Sequence, residues 1–110
     1  MRHAHFALMI IATLTACGGN RPATLISVTR AADAQLTCPN IDNEIAANEG
    51  AINARRSEID EAQSRRTYNA VMGGLIGAAT SEDGSAARTE IDAYTQRNIH
   101  LRRMSRNLKC

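Results

Sequence analysis

The sequence predicts an all-α protein whose body is an antiparallel two-helix hairpin, coiled-coil-like in its narrow apolar seams, behind a removable leader and a flexible tether. Three observations carry this. Valine, isoleucine and aromatic residues are sparse, the aromatics at 3%, while Ala, Arg, Glu, Gln and Asn are plentiful, a bias toward helix over sheet. Two stretches carry a narrow apolar stripe: Ile45, Ile52 and Ile59 in one, and Ala87, Ile91, Tyr94, Asn98, Leu101, Ser105 and Leu108 at four-three spacing in the other, the pattern of helices that each face one partner. Cys38 and Cys110 bracket the pair.

The leader is residues 1–16. Met1 to His5 holds Arg2, and Phe6 to Leu14 is apolar apart from one Thr, the layout of a secretory signal peptide. Such a run is too short for a bilayer, which needs roughly 20 apolar residues. Leu14-Thr15-Ala16-Cys17 resembles the lipobox of bacterial lipoproteins. That resemblance implies cleavage before Cys17 and its modification by acyl chains such as palmitate. Two other readings stand beside it: a chance cysteine after an apolar N-terminus, and cleavage after Ala32-Asp33-Ala34 to release a chain beginning at Gln35, although that site lies far from the apolar run. Either cleavage removes His3 and His5. Residues 17–37 read as the lipidated N-terminus and tether, with Gly18-Gly19-Asn20, Pro22 and no helical period. Within it, Thr24 to Val28 suits a short strand or a partner-docking segment.

The hairpin occupies 38–110. Pro39 suits the first turn of a helix, and Asp42, Glu44 and Glu49 lie toward the positive end of its dipole. Ile41 and Ala62 flank the isoleucine stripe. A glycine-rich tip near 70–84 follows, containing Gly73, Leu75 and Gly77 in an uncharged run from Ala70 to Ala79. An unbroken first helix would overshoot the second by more than the linking residues can span, so the chain has to bend near Gly73-Gly74. The tip is then a turn or broken helix, or an apolar surface that docks on a membrane or partner. The second helix is expected from about Ser85, and Arg102, Arg103, Arg106 and Lys109 crowd its C-terminal end, where cations suit the dipole.

Opposed charges set the register of the antiparallel helices, with Asp42 near Arg106, Arg56 near Asp92, Asp60 near Arg88, Arg65 and Arg66 near Asp83 and Glu82, and Glu58 against Glu90 as the one clash; the same register brings Cys38 opposite Cys110. In an exported protein two such cysteines form a disulfide by default. Free thiols or intermolecular bonds are the alternative.

From Cys38 onward, Cys38-Pro39, Ile41, Glu44, then Glu90-Ile91, Arg97-Asn98, His100-Leu101 and Cys110 resemble a group of small proteobacterial lipoproteins. The resemblance implies location and no reaction. The body is also similar to murein lipoproteins of enteric bacteria, from which it departs because Lys109 is followed by Cys110. Under the lipoprotein sorting rule, Gly18 after the lipidated cysteine implies the outer membrane, facing the periplasm.

Function follows by exclusion. A net charge of +2 in 110 residues argues against a nucleic-acid binder. His100 is the only mature histidine, and beside Cys38 and Cys110 it lacks the spacing of a zinc site, so no metal or cofactor is expected. Arg97, His100 and Asp92 supply no nucleophile, and neither an enzyme nor a small-molecule binder is expected. What remains is a non-enzymatic interaction module held in the cell envelope by a lipid anchor, its partner an envelope protein or a second copy. Gly73, Leu75, Gly77, Arg97, Asn98, Ile99, Arg102, Arg103 and Arg106 are the candidate contact residues. Asn98 either specifies a partner or hydrogen-bonds across the hairpin. The alternative function is binding of an anionic envelope polymer or lipid through the basic second helix.

Overall fold

The computed structural model describes residues 21–79 and 83–110, with backbone alone over 75–79. Cys17 and the leader lie outside the described residues, as do the side chain of Leu75 and the surroundings of Gly77. The described chain forms a short 3-10 turn, Ala31–Gln35, and two helices, α1 (Cys38–Ala79) and α2 (Ser85–Leu108). The helices pack against each other as an antiparallel hairpin closed at its open end by the Cys38–Cys110 disulfide, with the two Cα atoms 5.7 Å apart.

Thr37 caps α1. Its carbonyl accepts the Ile41 amide at 3.0 Å, while Asn40 Oδ1 accepts the Thr37 amide and hydroxyl, a variant of the reciprocal cap that spares orphan donors in the first turn. The expected bend falls at Gly74, where φ is 65° and ψ is −157°, a conformation essentially restricted to glycine. Gly84 precedes α2 in the left-handed region at φ 71°. A Cβ there would lie 3.3 Å from Ile59 Cγ1 and 3.4 Å from Ile59 Cα. The start of α2 is thereby pressed against α1 at Ile59. At the far end Lys109 adopts φ 58° and ψ 36°, and the amide of Cys110 returns to Ser105 O at 3.0 Å, a Schellman-type closure that leads the chain to Cys38.

The seam is thin. Ile41, Ile52, Ala62, Ala86, Ala87 and Leu101 are buried, and so are Asp33, Asn48, Glu90, Arg97 and Asn98. With nearly as many polar as apolar residues inside, polar pairing has to fix how the elements fit. Leu108, placed on the second stripe by its spacing, is half exposed.

The register differs from the one the charges predict. Among the described residues, Asp42, Arg106, Arg56, Asp92 and Asp60 enter no ion pair across the hairpin. The contacts that form are Arg97 with Glu44, Arg102 with Glu49, Arg55 with Glu90, and Asn48 with Asn98. Exposed charges contribute little each, so matching them along two helices has several near-equivalent solutions. The buried side chains decide between them.

Residues 21–37, expected to be free, lie along the hairpin as a strap. Arg21 sits at Glu58 and Glu90, the Val28 carbonyl at Arg97, Asp33 at Arg97 and His100, and Leu36 beside Met104 and Asn107. The strap therefore runs parallel to α2, from its N-terminal portion to its C-terminal end. Thr24 to Val28 is neither helix nor strand.

Candidate functional site

Two charge clasps, each centred on a buried residue of α2, bind the strap. In the lower one, toward the disulfide, Arg97 of α2 is fully buried. Its Nη1 and Nη2 donate to the two carboxylate oxygens of Asp33 at 2.6 and 2.7 Å. Its Nε and Nη2 donate to Glu44 at 2.8 and 3.1 Å, and Nη1 also reaches Val28 O at 2.9 Å. All the guanidinium donors are used, the geometry in which a buried arginine is best compensated. Asp33 also accepts the Arg30 amide at 2.9 Å and lies 3.1 Å from His100 Nε2. The 3-10 turn exists to present this carboxylate. The Arg97 guanidinium holds Asp33 well below the usual carboxylate range, and lowers Glu44 as well.

The upper clasp is built on Arg21. Its Nε and Nη2 each donate to Glu58 at 2.7 Å, while Nη1 and Nη2 donate to Glu90 at 2.7 and 3.1 Å. Glu90, fully buried, also accepts the Thr24 amide at 2.6 Å and faces Arg55 Nε. Arg55 Nη1 reaches Glu58 at 3.0 Å. The hydrogen bonds from Arg21 pull Glu90 down to about 2 and lower Glu58.

Glu90 and Arg97 are seven residues apart on α2 and so share one face. That face borders the seam toward α1, where Arg97 meets Glu44 and Glu90 meets Arg55, and it is covered by the strap. These clasps are arranged to hold rather than to exchange protons near neutral pH: the carboxylates of Asp33 and Glu90 are ionised acceptors, Arg21 and Arg97 use all their guanidinium donors, and Cys38 and Cys110 are bonded to each other. Among the described residues no group of His, Cys, Asp and Glu converges as a metal site would require.

The candidate contact residues separate. Arg97 and Asn98 are buried, and their side chains bond within the fold. Asn98 Oδ1 accepts from Asn48 Nδ2 at 2.7 Å, a bond across the hairpin. Arg102 pairs with Glu49 at the surface. Ile99, Arg103 and Arg106 are exposed, and the two arginines enter no ion pair among the described residues. Gly73 lies one residue before the break in α1 with open space around its Cα.

Sequence reasoning missed Arg21, Asp33, Glu44, Glu58 and Glu90 as a set. The signal was present in the apparent Glu58–Glu90 clash, since two facing carboxylates call for a cation. Compared with protein-family models, with curated proteins and with solved structures, the chain matches none.

Proposed function

We propose that this chain is a non-enzymatic lipoprotein of a bacterial cell envelope, anchored through acyl groups on Cys17, whose disulfide-closed hairpin serves as a structural or interaction module. The observation that carries the reading is the Cys38–Cys110 bond between the two ends of the body. Such a bond suits an oxidising compartment outside the cytosol, and the sequence from Arg2 to Cys17 supplies the route there. The buried charges favour a scaffold, because each is consumed in holding the strap. Acyl chains add about 0.8 kcal/mol per buried methylene, and more than one chain gives stable attachment. Gly18 favours the outer membrane and a periplasm-facing body, with an envelope protein or a second copy as partner.

Fractionation tests this. The native chain is expected to stay with membranes through high-salt and alkaline washes, and Cys17→Ser is expected to be released by them. Crosslinking in intact cells then identifies what the body touches. Unchanged partitioning of Cys17→Ser contradicts the anchor.

One observation favours a second reading. Arg103, Arg106 and Lys109 stand exposed at the end of α2 without ion-pair partners among the described residues, and could attract an anionic envelope polymer or lipid. That attraction would weaken steeply between low and physiological salt.

A further inference from the structure

α1 outruns α2. The start of α2 is fixed at Ile59 by the close approach of Gly84, and residues 63–74 continue as an arm of about 18 Å at 1.5 Å per residue. The arm holds three of the exposed large apolar side chains: Tyr68 at 65%, Val71 at 78% and Met72 at 70% exposure. At 3.6 residues per turn they fall within a sector of about 100°, with Arg65 one turn nearer the body on the same side. Arg65 is paired with Glu61 at 3.5 Å, and from Ala62 to Ala79 the sequence has no acidic residue.

We infer that this arm docks on a lipid bilayer surface, with Tyr68, Val71 and Met72 at the headgroup–acyl boundary. An aromatic and two aliphatic side chains beside cations are what the interfacial region accepts. The strap's direction decides the partner. Arg21, the first described residue, is held at Glu58 and Glu90 near the start of α2, at the end of the body from which the arm projects. Only Gly18, Gly19 and Asn20 separate Cys17 from Arg21, a reach of at most about 14 Å. The arm is longer than that. This step rests on the proposed anchoring at Cys17, which would bring the bilayer within the arm's length. A second copy fits less well, because a stable protein interface engages roughly 20–30 residues a side and the arm offers three large apolar side chains.

The chain has no tryptophan, so a single one reports its own site. The full-length Cys17→Ser chain carrying Val71→Trp, and separately Met72→Trp, is mixed with phosphatidylethanolamine–phosphatidylglycerol vesicles that include brominated lipid. Emission is expected to shift to the blue and be quenched for both, with neither effect for Asn107→Trp at the disulfide end. Val71→Glu placed beside Met72→Trp should lower vesicle partition about tenfold. Emission unmoved by vesicles overturns the inference. So does a shift that follows protein concentration without lipid, which marks a second copy, or quenching confined to Asn107→Trp, which marks the basic end of α2. Acylation of Cys17 is read separately by mass, so loss of the anchor and loss of the arm contact are distinguishable.

Discussion

Glu58 on α1 and Glu90 on α2 are joined by one guanidinium, that of Arg21, which lies 2.7 Å from each carboxylate. Two like charges that would push the helices apart become the seat of a third element. Arg21→Ala leaves buried Glu90 with Arg55 as its remaining cation, and the strap should release at that end. Hydrogen exchange over residues 22–30 is expected to rise as this end of the strap loses its hold. Adding Glu58→Gln should recover some of that loss by removing the repulsion.

Arg97 is the stricter test of the strap. Arg97→Met strands Asp33 and Glu44 and should destabilise the fold by about 3–5 kcal/mol, read by urea unfolding under non-reducing conditions. Arg97→Lys is expected to recover little, because an ammonium cannot make the paired bonds to Asp33 and the bonds to Glu44 at once.

The clasps set the acid behaviour. Glu90 has an ordinary value of 4.5 and a folded value of about 2. A lowered folded value means that its stabilisation is fully present above about pH 5 and is lost as pH falls through 4 toward 2. Asp33, Glu44 and Glu58 are shifted in the same direction. Unfolding free energy should therefore be flat near neutral pH and decline across this window, and Glu90→Gln should make the decline shallower. Urea titrations from pH 7 to pH 2 measure it.

Gly84 joins two requirements, φ of 71° and a close approach to Ile59. Gly84→Ala should cost about 1–2 kcal/mol for the left-handed backbone alone, with a lower thermal midpoint as the readout. Gly50, which a Cβ would leave in open space, lies inside α1, and Gly50→Ala should instead raise stability by roughly 0.5–1 kcal/mol.

The helices were legible because their cause is local. The isoleucine spacing in α1, the bend at Gly74, the onset of α2 at Ser85 and the Cys38–Cys110 pair can all be read from neighbours along the chain or from the two cysteines. The strap was not. Arg21 meets Glu90 across 69 positions and Asp33 meets Arg97 across 64. Between Gly18 and Thr37 no period marks one face as buried. A single charge in such a stretch looks like solvated linker until its buried counterpart is known. Glu90 and Arg97 lie one position off the apolar stripe of α2, so they read as surface residues of a two-helix body, whereas with the strap in place they form its inner face.

Intact mass spectrometry of the protein extracted from native membranes tests tethering and oxidation together, and so bears most directly on the proposed role. The predicted species begins at Cys17, carries acyl groups on that residue, and has a mass lower by two hydrogens for the Cys38–Cys110 bond. An unacylated chain beginning at Gln35, or one retaining Met1 with Cys38 and Cys110 as free thiols, would contradict it.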